Sequence, residues 1–158
     1  MTMKPCLTLA ALAVAALLSA CQTPHQFVAP DTAWNTHIGQ LKYSDARRTL
    51  IGDVVVQQRG TQDFQLDFQK AGGFPLLALR EDAATARAEG ILARGSWQGA
   101  AARAPKHLRN WVALREAFLH PASGTTWKGE AKSTDGALGL LALTFPADGQ
   151  RFVFQFSH

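Results

Sequence analysis

The chain has 158 residues, 47% hydrophobic and 18% charged, and its 16 basic and 12 acidic side chains give a formal net charge of +4. That length suits a single domain with a sizeable core. The basic excess is spread along the chain, through Arg47, Arg48, Arg59, Arg80, Arg87, Arg94, Arg103, Lys106, Arg109 and Arg115. So diffuse a pattern reads as ordinary solvated charge, with attraction to anionic head groups as the alternative, and it excludes a nucleic-acid-binding protein.

The chain opens with Lys4 and a nearly continuous apolar run from Leu7 to Leu18, broken only by Thr8. The run is short of the roughly 20 residues a membrane helix needs. A basic start, an apolar stretch and small residues before a cut site predict a secretory signal peptide over residues 1–20. Leu18-Ser19-Ala20-Cys21 resembles the lipobox of bacterial lipoproteins. That resemblance implies cleavage before Cys21 and acylation of Cys21 with chains of the palmitate class. More than one such chain anchors stably, since each buried CH₂ contributes about 0.8 kcal/mol. Gln22, in place of Asp, implies sorting to the outer membrane with the domain facing the periplasm. Cleavage leaves 138 residues with 15 basic and 12 acidic side chains, and Cys21 as the only cysteine, so the mature chain forms no internal disulfide.

Residues 21–30, with Pro24 and Pro30 and no periodicity, read as a lipidated tether. A single domain spans 31–158. Asp31 or Thr32 offers a helix N-cap, and Trp34, His37, Ile38 and Leu41 follow at helical spacing, which predicts an amphipathic helix of about three turns. His37 on that stripe reads as a packed histidine rather than a ligand. Ile51, Val54, Val55 and Val56 then predict a strand over 50–58. Gly60-Thr61 joins it to a strictly alternating strand over 63–69, with Phe64, Leu66 and Phe68 on one face and Asp63 and Asp67 on the solvated other. Gly72-Gly73 precedes a third strand over 74–79. Residues 82–93 combine an Ala-rich stretch with Gly90-Ile91-Leu92 and lean towards a fourth strand.

Gly95-Ser96-Trp97-Gln98-Gly99 reads as a loop. Pro105 suits the first turn of a helix whose broad apolar face is Leu108, Trp111, Val112, Leu114, Phe118 and Leu119. Arg115 lies among these and is expected to snorkel. His120-Pro121 ends that helix. After a turn at Ser133–Gly136, Leu138 to Phe145 predicts a strand. The Pro146–Gly149 turn leads to a last one, with Phe152, Phe154 and Phe156 on one face. This order predicts an α+β fold: a curved, half-barrel-like antiparallel sheet with helices packed on its concave face.

Trp34-x-x-His37-x-x-x-Leu41, Gly52 in the first strand, and Pro105-x-x-Leu108-Arg109-x-Trp111 at the later helix resemble the outer-membrane receptor of the bacterial lipoprotein-localisation pathway and its relatives, the LolA/LolB superfamily. The resemblance spans about residues 34–119. It implies a sheet and helix lid that hold acyl chains, with a periplasmic carrier protein or lipoprotein acyl chains as partners. It also makes Gly72-Gly73-Phe74-Pro75-Leu76-Leu77 the counterpart of a protruding apolar loop. Strands that the family has between the later helix and the C-terminus are missing from this order.

Catalytic chemistry has little support. The histidines His25, His37, His107, His120 and His158 show no metal-ligand spacing, Ser96 is one place away from a nucleophile-elbow serine, and no phosphate-binding glycine loop occurs. No cofactor or metal is expected. The leading expectation is a non-enzymatic lipoprotein that binds acyl chains in a hydrophobic pocket lined by Phe64, Leu66, Phe68, Leu108, Trp111 and Phe154. The alternative is an envelope scaffold protein with a filled core that binds a protein partner.

Overall fold

The computed structural model describes residues 25–122 and 124–157. The predicted signal segment and the Cys21 lipidation site lie outside the described residues. Six strands come first: β1 (Asn35–Ser44), β2 (Thr49–Arg59), β3 (Asp63–Lys70), β4 (Phe74–Glu81), β5 (Thr85–Gly90) and β6 (Gly95–Ala100). A 3₁₀ turn (Ala101–Arg103) and two short helical stretches follow, α1 (Arg109–Val112) and α2 (Leu114–Leu119). Strands β7 (Lys128–Thr134), β8 (Ala137–Phe145) and β9 (Gln150–Phe156) complete the chain.

The strands form one nine-stranded antiparallel sheet in the order β6-β5-β4-β3-β2-β1-β9-β8-β7. Among the described residues only the β1–β9 pairing joins strands distant in sequence, with Leu41 opposite Phe154 and Tyr43 opposite Phe152. Because every pairing is antiparallel, the β1–β2, β3–β4, β5–β6 and β8–β9 turns share one end of the sheet. The β2–β3, β4–β5 and β7–β8 turns share the other, where the chain enters β1.

The α+β expectation is overturned: among the described residues the fold is an open antiparallel sheet with a single short helical segment. The helix predicted from Asp31 is instead strand β1. Trp34, Ile38 and Leu41 sit at helical spacing, but Ile38 is 59% exposed while Leu41 and Tyr43, two apart, are buried. Pairing on both sides of β1, with β2 and β9, outweighs a local pattern that a helix would have to bury alone. The predicted loop at 95–99 is edge strand β6, paired along its length with β5. The helix predicted from Pro105 begins only at Arg109 and is interrupted at Ala113.

One sheet face is apolar over its central strands. Val54 and Val56, Phe64, Leu66 and Phe68, Leu77 and Leu79, Leu141 and Leu143, Phe152 and Phe154 are all at most 1% exposed. Gly52 belongs to this packing: a Cβ there would stand 2.0 Å from the Gln69 carbonyl oxygen, so the close approach of β2 to β3 requires glycine. The other face carries ion pairs. Arg80 binds both oxygens of Asp67 at 2.8 and 2.9 Å, and Arg59 binds Asp63 at 2.8 Å while lying over the Trp34 ring.

Trp111 covers the centre of the apolar face, with its ring 5.0 Å from Tyr43, 6.1 Å from Phe68 and 4.8 Å from Phe152. Phe118 does the same further along, against Phe64, Phe154 and Phe156. Truncating either centre leaves a cavity that the sheet cannot close. Phe68→Ala and Trp111→Ala are each expected to lower unfolding free energy by about 3–5 kcal/mol in urea titrations. Ile38→Ala, on the exposed face, is expected to change it by about 0.5 kcal/mol or less.

Candidate functional site

The turn end of the sheet holds a cleft of about 920 Å³. One wall is the β1–β2 turn with Arg47 and Arg48; another is the β5–β6 turn with Ile91, Leu92 and Arg94. Lys106 and His107 add the segment that leads into α1, and Ala147, Asp148 and Gln150 come from the β8–β9 turn. Tyr43 and Trp111 lie at its floor.

The walls are held by local turn bonds and by ties between distant elements. Asp45 accepts from the backbone amides of Arg47 and Arg48 at 2.8 and 3.0 Å and from the Tyr43 hydroxyl at 2.9 Å. Desolvation works against its charge, but those two amides and that hydroxyl outweigh it and hold the carboxyl below its usual range. Burial, and then the Asp45 carboxylate, push the Tyr43 hydroxyl well above its ordinary value, so it remains a donor. His107 Nε2 stands 3.3 Å from the Ala93 carbonyl oxygen. Buried Asn110 donates to Asp148 at 3.0 Å and to Gln150 at 3.0 Å, which ties α1 to the β8–β9 turn. Arg94 has φ of 59°, the left-handed region. Among the described residues Arg47, Arg94 and Lys106 have no ion-pair partner, and Arg48 reaches Asp45 only at 3.5 Å.

Of the six residues expected to line an acyl pocket, five are wholly inside the core: Phe64, Leu66, Phe68, Leu108 and Phe154 are 0% exposed. Trp111 alone also reaches the cleft. Phe74, in the segment likened to a protruding loop, is 54% exposed at the same end of the sheet, just after Gly72 and Gly73. His37 packs on Phe156 at 5.1 Å and burial lowers its pKa. The described residues contain no cluster of His, Cys, Asp or Glu able to hold a metal, and no helix among them is long and apolar enough to cross a membrane. The basic cleft itself was missed by sequence reasoning. Its one signal was that Arg47-Arg48, Arg94 and Lys106 fall between elements rather than on a strand's solvent face.

A second buried polar group lies at the opposite end. Glu81 ends β4 on the apolar face with its side chain 2% exposed, and Arg115 Nε is 3.6 Å from its carboxylate. Arg115 donates instead to the carbonyls of Asp82 and Gln62. Desolvation pushes the Glu81 carboxyl up to about 8, against the pull of Arg115. No family model matches the chain, and no curated protein matches it either.

The raised pKa carries a sign. Between about 4.5 and 8 the folded chain binds a proton at Glu81 that the unfolded chain releases, so stability is lost as pH rises through that window. The unfolding free energy from urea titrations is expected to fall from pH 5 to pH 8, by at most about 1.4 kcal/mol per pH unit. Glu81→Gln is expected to flatten the profile; an unchanged slope in that variant would assign it to another group.

Proposed function

We propose that this chain is an outer-membrane lipoprotein, anchored through acylated Cys21 and facing the periplasm, that acts by binding a partner at its surface rather than by catalysis. The observation that carries this reading is the occupied apolar face: Trp111 and Phe118 fill the place that an acyl chain would need. The Leu18–Cys21 tetrapeptide supports the anchor. A receptor role of the lipoprotein-localisation kind is the second reading. Exposed Phe74 favours it, and it requires the helical segment to lift from the sheet.

One labelling experiment separates the two. A photoactivatable palmitate analogue fed to Gram-negative cells making the full chain is expected to mark the Cys21 peptide alone. Cys21→Ala is expected to lose the label and leave the membrane pellet. Crosslinks mapping to Phe64–Phe68 or to Leu108–Phe118 would restore the acyl-binding reading, and an unlabelled wild-type chain would remove the anchor.

A further inference from the structure

We propose that the cleft at the turn end binds a soluble ligand carrying two or more phosphate groups. For its orientation the proposal rests on the anchored, surface-binding reading above; for its ligand class it rests on the cleft alone.

The cleft is lined by four permanent cations, Arg47, Arg48, Arg94 and Lys106, and by two carboxylates, Asp45 and Asp148. Both carboxylates are engaged by the protein, Asp45 by its own turn and Tyr43, Asp148 by Asn110. Arg47, Arg94 and Lys106 are therefore left with donors to spare, while Arg48 also contacts Asp45 at 3.5 Å. Guanidinium forks grip phosphate oxygens two at a time, and a lysine adds a point charge. The cations also stand on separate walls: Arg47 and Arg48 come from the β1–β2 turn and Arg94 from the β5–β6 turn, with β3 and β4 between those hairpins in the sheet. One small anion engages one wall; a ligand with spaced phosphates engages both. A volume of about 920 Å³ leaves room for the skeleton joining them, over the Tyr43 and Trp111 floor.

The path of the N-terminal segment says where such a ligand comes from. His25 contacts Asp82 and the Val28 carbonyl accepts from Gln65 at 2.9 Å, so the segment docks near the entry end of the sheet. Strand β1, ten residues long, then runs to the turn end, about 33 Å away. Cys21 precedes His25 by four residues, a reach of about 14 Å at most. An anchored domain therefore holds its cleft away from its own bilayer and towards ligands in solution.

The test is calorimetric titration of the full lipidated chain, held in neutral detergent, with long-chain inorganic polyphosphate, which spans both walls. Saturable binding that weakens with salt is expected. The double variant Arg94→Ala/Lys106→Ala is expected to bind at least tenfold more weakly. Arg87→Ala, whose side chain pairs with Glu89 outside the cleft, is expected to bind as wild type. No saturable binding, or equal binding by the double variant, overturns the site. Equal binding of citrate overturns phosphate as the ligand class. Capture of phosphatidylglycerol vesicles through the same cations, without binding of polyphosphate, overturns the soluble source in favour of a lipid head group. These readouts concern the cleft only, whereas failure of the anchor or of the filled core shows in the palmitate labelling.

Discussion

A nine-stranded open sheet with one continuous apolar face has to be covered, and a helical segment of about three turns is its centrepiece. Its two short stretches are far below the length at which a helix stands alone in water. They hold their shape because Trp111 and Phe118 are locked against rings from the sheet. Trp111 touches β1, β3 and β9, and so bridges the seam at which strands distant in sequence meet. Sheet and segment are thus mutually dependent. The same indole that closes the core also forms the floor of the cleft, so the position of the basic walls follows from core packing.

Polar ties at the two ends of that segment set its register. Near its start Asn110 bridges to Asp148 and Gln150. Further along, Arg115 reaches the backbone at Asp82 and Gln62. The cost of burying Glu81 beside Arg115 is met largely by keeping the carboxyl protonated. Apolar contacts alone would allow the segment to slide along the sheet, whereas these hydrogen bonds are satisfied at one position only.

Much of the sheet was readable from residue order. In β3, β8 and β9 large apolar side chains alternate with polar or smaller ones, and Gly60, Asp135-Gly136 and Gly149 punctuate them, so strand and turn reinforce each other. β1 was not readable, because Trp34, Ile38 and Leu41 mimic a helical stripe while the decisive partners, β2 and β9, lie up to about 120 residues away. β6 failed for another reason: flanked by glycines and carrying Trp97 as its one large side chain, it is a strand only because β5 pairs with it. The aromatic residues were correctly recognised as sharing a face, but sequence could not decide whether the helical cover over them leaves a pocket or a filled core. The cleft was the least legible feature. Its cations are scattered through the sequence and meet only because alternate turns of an antiparallel sheet fall at one end.

Arg94 illustrates how such a surface can be lost. Its backbone lies in the left-handed region, where a side chain costs on the order of 1 kcal/mol and glycine nothing comparable. A single change to glycine would relieve that conformation and delete a cation from the cleft in one step. Under selection for stability alone the position would drift towards glycine. An arginine held there sets a strained backbone against the charge of the cleft at one residue, so the turn's conformation and the cleft's positive field are decided together.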